Sequence, residues 1–349
     1  MDEGTDRASV LARLSDMLDS MGESKVTLIG DVMLDRFHHG YANNLDSTAP
    51  VPVLKIMRTE ETPGAAAHIA MGLRSLGMQV SLHCCVGDDR EGRTIETKLS
   101  EHGISTNGIH TVPDRNTLTK IRFYGSRESL LEESQILLQA DRGPRDLLSD
   151  EFRQTIAQGA MSEIIDSSAV VLSDYDKGVL DTETSLMIIS AAKQAGLPVI
   201  ADPKLTGLDR SAGADVALFE NRGLNLLARR QGAADQAKAA DDLISQYGWQ
   251  ALLVLRGTDG VTLYQADESP FHIPCMSPSA VQQIGLHDAA ATALAAALGN
   301  GLTMIDAATL AAAACDCILA AEASREFVDK ETLRLWIDEL SWQLRISDR

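Results

Sequence analysis

Along the chain, apolar residues switch between a spacing of three or four and short continuous or alternating runs, the signature of amphipathic helices interleaved with strands. Val10, Leu11, Leu14, Met17, Leu18 and Met21 form one helical stripe. Lys25–Ile29 follows as a buried strand closed by Gly30-Asp31. Ala49–Met57 alternates and holds Pro50 and Pro52, which removes ladder donors and predicts an edge strand or flap. Thr62-Pro63-Gly64 reads as a turn before a small-residue helix from about Ala65 to Leu76. Val80–Val86 is the next strand, then a helix over Arg93–His102 and a strand near Gly108–Val112. Thr117–Tyr124 alternates as a second flap strand, and the polar, acidic piece Gly125–Leu138 shows no period.

The second half repeats strand and helix more regularly. Strands are predicted at Val170–Leu172, Pro198–Ala201, Asp215–Phe219 and Ala251–Leu255, with helices at Thr182–Ala195 and Ala233–Tyr247. Gly260–Tyr264 and Phe271–Ile273 read as a hairpin. Two long helices start near Asp288 and Ile305, and an acidic C-terminal helix follows. This order predicts an α/β fold: a doubly wound, mostly parallel sheet with helices on both faces and a small β lid, its strands at about 40–58 and 117–140. No repeat, low-complexity linker or composition break divides residues 1–349, so one domain is expected. In such sheets ligands sit at the carboxyl ends of the strands. Chemistry is therefore sought at Gly30-Asp31, Gly87-Asp88, Ser173-Asp174, Asp202-Pro203-Lys204, Asn221 and Arg256-Gly257.

Composition narrows the function. Of 349 residues, 44% are hydrophobic, enough for a sizeable core, but aromatics are only 4%, so Ala, Leu, Ile, Val and Met must fill it. The formal charge of −19 repels phosphate backbones and anionic lipid, which argues against a nucleic-acid or membrane-surface protein. A small anionic ligand stays compatible with a locally positive pocket. No apolar run is long enough to span a membrane, and the acidic N-terminus lacks the layout of a signal peptide. Five irregularly spaced cysteines suit a reduced, cytoplasmic protein, with Cys315 and Cys317 as small helix fillers.

One segment carries a chemical pattern. Gly285-Leu286-His287-Asp288 opens an alanine-rich helix, and the unpaired N–H groups of such a start bind anions. An adjacent acid can take a proton from an attacking hydroxyl, as phosphoryl transfer requires. By residue type alone, Asp288 equally serves as a cap or a dipole partner.

Taken with Gly30-Asp31…Asp35, Pro63–Ala67, Leu172–Gly178, Asp202-Pro203-Lys204, Asn221 and Arg256–Gly260, the segment resembles the ribokinase-like (PfkB) carbohydrate kinases. Gly30–Arg36, Ala49–Val53 and Leu172–Gly178 resemble, more narrowly, the kinase domain of the heptose-7-phosphate kinases of ADP-heptose synthesis. The resemblance implies an ATP- and Mg²⁺-dependent kinase. Asp288 would be the catalytic base, with Gly285 in the anion hole. Asp31, Asp35, Gly64, His68, Lys120 and Lys177 would bind the sugar phosphate. Asp202, Lys204, Asn221, Arg256, Gly257 and Gly260 would form the nucleotide side. Arg122, on the same strand face as Lys120, would also be placed for a substrate phosphate. The lid would cover the sugar and serve as a homodimer interface. The adenylyltransferase domain of bifunctional members is not expected before Arg349.

The departures from the family pattern cluster at one end. Gln282-Gln283-Ile284-Gly285-Leu286-His287-Asp288 stands where Gly-Ala-Gly-Asp is usual, and a Cβ at His287 would oppose a left-handed backbone and crowd a phosphate. Leu224 replaces a Glu that organises Mg²⁺, and leucine offers no oxygen. Ala65 replaces the second glycine of a pair, His68 a substrate-contacting Asn, and Leu255 a Thr or Ser. The glycine-rich segment of the adenine loop is missing near Ala323-Ser324-Arg325. Two functions follow from these residues: a sugar kinase, with heptose 7-phosphate as acceptor, or a pseudokinase of the same fold that binds a sugar phosphate or a partner protein without transfer. A nucleoside kinase fits Leu172–Gly178 and Ala49–Val53 less well.

Overall fold

The computed structural model describes residues 3–22, 24–126, 134–144, 146–277, 284–321 and 327–347. Its frame is a nine-stranded sheet in the order β13-β12-β11-β10-β9-β8-β1-β4-β5. Seven strands are parallel: β1 (Lys25–Gly30), β4 (Gln79–Gly87), β5 (Ile109–Val112), β8 (Ala169–Ser173), β9 (Val199–Asp202), β10 (Val216–Glu220) and β11 (Ala251–Leu255). The predicted hairpin, β12 (Val261–Gln265) and β13 (Phe271–Ile273), closes one edge antiparallel.

Period-two alternation in the strands divides the core into two layers. Leu28, Val171, Ile200, Leu218 and Leu253 face α1 (Glu3–Ser20), α2 (Ala66–Ser75), α8 (Leu286–Gly299) and α9 (Met304–Ala320). Ile29, Leu172, Ala201, Phe219 and Val254 face α4 (Asp150–Glu163), α5 (Thr182–Gln194), α6 (Asn221–Gln231) and α7 (Gln236–Tyr247). α3 (Arg90–Glu101) follows β4, and α10 (Lys330–Ser347) packs on α1 and α9. α8 is alanine-rich and buried all round, which lets it approach its neighbours closely. A Cβ on Gly72 of α2 would come within 2.9 Å of Thr292 Oγ1 on α8.

The lid is a second sheet, β3-β2-β6-β7. β2 (Val32–Leu45) leaves β1 after the single residue Asp31, pairs antiparallel with β3 (Pro52–Ala65) and parallel with β6 (Thr119–Ser126), while β7 (Gln135–Arg142) closes the far edge. Two expectations change here. Thr62-Pro63-Gly64 is not a turn but the end of β3, paired with Asp35, Leu34 and Met33, because β2 supplies a partner no local signal revealed. The lid strands also reach further than 40–58 and 117–140, back to Val32 and forward to Ala65 and Arg142. α4 and α6 were not anticipated, since their polar faces mask a narrow apolar stripe (Ile156, Ala157 and Ala160; Leu224 and Ala228). Gln282, Gln283 and Ala323-Ser324-Arg325 lie outside the described residues.

Candidate active site

The carboxyl ends of β1, β8, β9 and β10 meet the start of α8 beneath the lid. Gly285 precedes α8 with φ of +92°, a conformation that favours glycine, and a Cβ there would stand a tight 3.2 Å from His68 Cε1. Leu286 and His287 are already helical, and His287 is absent from the described positive-φ residues, so the strain foreseen at His287 falls on Gly285 instead. Asp288, in the first turn, is buried. Its Oδ2 lies 3.2 Å from His68 Nδ1, and its Oδ1 accepts a long hydrogen bond of 3.4 Å from the Tyr175 hydroxyl.

Tyr175 is the residue the sequence reading passed over, although its loop was singled out. Its ring lies between two lysines, Lys204 Nζ at 3.9 Å and Lys120 Nζ at 5.6 Å from the centroid. A cavity of about 450 Å³ opens against it, lined by Lys120, Arg142, Lys177 and Lys204 together with Asp141 and Asp176. Burial pulls the Lys120 ammonium below its ordinary pKa, with Asp35 opposing. Asp35, opposite Lys120 in the β2–β6 register, is buried and takes a 2.6 Å hydrogen bond from Arg122 Nη1. Burial raises its pKa although Arg122 pulls the other way. Arg122 is thus held by Asp35 and stacked over Phe37, and it does not line the cavity, so Lys120 alone of that pair fits a substrate phosphate. Gly64 lies against Asp35, where a Cβ would come 2.2 Å from Oδ2; this is a close-approach glycine within a strand. Ala65 next to it has φ 56° and ψ −131°, a conformation that favours glycine.

Asp31 was expected at the sugar but performs another task. Its Oδ2 accepts the backbone N–H groups of Tyr175 and Lys177 at 3.0 Å, and Oδ1 accepts that of Val179 at 3.2 Å. Its carbonyl accepts the N–H of Ala66, the first residue of α2. One buried residue therefore places both groups that touch Asp288: the Tyr175 loop directly, and His68 through the start of α2. Its pKa is raised to about 6, chiefly by burial and further by Asp174, against the pull of those N–H groups. His68 likewise contacts Asp288 from below rather than the cavity.

At the nucleotide side, the expected residues hold one another. Arg256 donates from Nε to Thr262, from Nη1 to Asn221, and from Nη2 to Gln236 and Tyr264, at 2.6–3.2 Å. Asn221 Oδ1 also accepts from Gln236 Nε2 at 2.7 Å, so Arg256 and Asn221 form a bracket between α6, α7 and β12. Gly257 (φ 60°) and Gly260 (φ 88°) shape the turn after β11, and a Cβ on Gly260 would meet the Ile273 carbonyl at 2.1 Å. Asp202 is fully buried at the end of β9, its Oδ1 2.8 Å from His287 Nδ1. Leu224 is buried in the apolar layer. Among the described residues no group of three or more His, Cys, Asp and Glu could hold a metal ion.

The family match covers residues 23–330, to the model described as pfkB family carbohydrate kinase. The chain belongs to the pfkB family of carbohydrate kinases. Within that family it is 34% identical over 303 residues to the bifunctional protein HldE of Paramagnetospirillum magneticum, covering 86% of this chain and 61% of that protein. The HldE of Actinobacillus pleuropneumoniae matches at 33% over 303 residues, 85% of this chain and 60% of the relative. The chain thus spans about three-fifths of the length of these relatives. Solved structures show the same ribokinase-like fold: phosphofructokinase-2 from Escherichia coli, with TM-score 0.73 and 16% identity over 91% of this chain and 99% of that one, and Arabidopsis thaliana ribokinase complexed with ribose and ATP, with TM-score 0.67 and 16% identity over 90% and 99%. The α/β fold with a large, mostly parallel sheet expected for a PfkB kinase is the one observed. Among the described residues no helix is long and apolar enough to cross a membrane.

Proposed function

We propose that this PfkB-family chain is an ATP-dependent sugar-phosphate kinase acting as one unit over residues 1–349 in the cytoplasm, with D-glycero-D-manno-heptose 7-phosphate phosphorylated at O1. The observation that carries the reading is the cavity against Tyr175, whose hydroxyl reaches Asp288. In a chain of net charge −19, four cationic and two acidic side chains line it. Arg142 is tied to Glu91 and Asp89, whereas Lys120, Lys177 and Lys204 have no carboxylate in ion-pair contact among the described residues. Such a pocket selects an acceptor that already carries a phosphate. The resemblance of Gly30–Arg36, Ala49–Val53 and Leu172–Gly178 to heptose-7-phosphate kinases, together with the similarity to the HldE proteins, supports a heptose as that acceptor.

In the proposed reaction the sugar hydroxyl gives its proton to Asp288 as its oxygen attacks the terminal phosphorus of ATP. The new P–O bond forms as the bond to the ADP oxygen breaks, and the N–H groups at the start of α8 hold the charge on the moving phosphoryl group. Among the described residues no group of carboxylates and imidazoles would seat magnesium; Asp202 Oδ1 is held by His287 while its Oδ2 has no partner, and Leu224 is apolar, so the ion would arrive on the nucleotide. That same observation favours the second reading, a pseudokinase that binds sugar phosphate without transfer.

Sugar-dependent ADP release separates the two. Asp288→Asn should lower kcat about 10²–10⁴-fold while leaving sugar-phosphate binding by calorimetry within a few-fold. Binding of sugar phosphate with no ADP release from the wild type would leave the pseudokinase.

The outer lid strands expose Val53, Ile56, Met57, Ile136 and Leu138, an apolar area we assign to a homodimer contact. Sedimentation should show a dimer that Ile136→Glu with Met57→Glu turns into monomer; a monomeric wild type rejects this assignment.

A further inference from the structure

His287 stands where the family has glycine, and its surroundings give it a function of its own. The imidazole projects from the first turn of α8 between the ends of two adjacent strands. Nδ1 is 2.8 Å from Asp202 Oδ1 on β9, and Nε2 is 3.6 Å from Glu220 Oε1 on β10. These two contacts differ in kind. Asp202 is fully buried and cannot leave, whereas the Glu220 side chain is 67% exposed and rests at a distance too long for a good hydrogen bond. Lys204 and Arg222 are the cationic groups near this pair, and Asp288 is the next residue on α8. Burial pulls the imidazole pKa down, but Asp202 first and Glu220 second more than reverse this and carry it to about 10. At neutral pH the ring is therefore an imidazolium, pinned by Asp202, with Nε2–H facing the exposed Glu220 carboxylate and making no hydrogen bond.

We propose that His287 is a phosphate-binding cation and that Glu220 holds its Nε2 until an oxygen of an incoming polyphosphate displaces the carboxylate. The proposal takes its ligand class from the kinase reading. It also gives that reading a source of positive charge where the residues present do not fit a magnesium site. The ligand is a polyphosphate chain, recognised through one charge-assisted hydrogen bond from Nε2 and the N–H groups at the helix start.

Inorganic triphosphate, titrated into the full chain by calorimetry with EDTA present, tests this without turnover. The wild type should bind. His287→Gln should weaken binding about tenfold or more. Glu220→Gln should tighten it several-fold by removing the competing carboxylate, and in the double variant that gain should vanish. Glu220 is exposed, so its variant remains informative even if His287→Gln folds poorly, which thermal denaturation would report. Equal or tighter binding by His287→Gln would identify the imidazole as a plug and overturn the proposal, as would no gain in Glu220→Gln or no binding by the wild type. Failure of the kinase reading looks different: the triphosphate pattern would hold, yet no sugar would release ADP from ATP.

Discussion

Lys120, Lys177 and Lys204 stand round an open cavity against Tyr175, whereas at the end expected to take the nucleotide Arg256, Asn221 and Gln236 hold one another and Asp202 holds His287. The two ends are built from the same strands' carboxyl termini, so the sheet does not cause the difference. It comes from which charges have partners. A lysine with no carboxylate in contact keeps its attraction for an incoming anion, while a guanidinium already making four hydrogen bonds has little left to offer. Of the departures from the family pattern, Leu224 is buried and apolar and His287 is held by Asp202 through Nδ1 alone, while Ala65 and His68 lie toward Asp35 and Asp288. At the other end Asp35 lies against Gly64 and Arg122, Lys177 lines the cavity, and Asp288 meets His68 and Tyr175.

The largest effect that would break this contrast lies at the cavity. Lys120→Met and Lys204→Met should each raise KM for a sugar phosphate about ten- to hundredfold while changing KM for ATP far less, as steady-state kinetics with each substrate varied will show. Equal changes for both substrates would mean that the two ends are not separate.

A moderate effect is expected at Asp31, which places both neighbours of Asp288. Its carboxylate must be ionised to accept three N–H groups, so kcat/KM should fall as pH drops through about 6. The stability term has the opposite sign. A carboxyl raised above its unfolded value of 3.8 binds more protons when folded, so this group favours the folded state as pH falls from about 6 toward 4. Asp31→Asn should lower kcat/KM about tenfold at pH 8 and abolish the acidic limb, whereas a merely structural role would leave the limb in place.

The smallest effect belongs to Ala65. Ala65→Gly should relieve its backbone strain and stabilise the fold by about 1 kcal/mol in denaturant unfolding, after the entropy glycine adds to the unfolded chain. A destabilised variant would show that the Ala65 methyl, buried beside Met33 and Leu118, contributes more by packing than it costs in strain.

Much of the fold was legible locally. β1, β8, β9, β10 and β11 are apolar runs, α2, α5 and α7 show helical spacing, and α8 and α9 are long alanine-rich runs. β2 was not legible, because a strand rich in polar residues such as Asp35, Arg36, His38 and His39 is stabilised by β3 and β6, which only the tertiary fold brings beside it. The same reason turned Thr62-Pro63-Gly64 from a turn into a strand end. Asp288, Gly285 and the lysines were named from the family resemblance and from their places at a helix start and along the strands; the structure puts Lys204, expected on the nucleotide side, in the cavity with Lys120 and Lys177. Which charges remain available could not be named in that way. Asp31 became a loop clamp, Arg122 a partner of Asp35 and His287 a partner of Asp202 through contacts between residues distant in sequence. Hydrophobic periodicity and motif order set the sheet, the helices and the location of the pocket, because burial of one face is a local demand. The pairing of each ion was decided in three dimensions, because Coulomb and hydrogen-bond energies depend on distance through space and on exclusion from water, neither of which sequence spacing records.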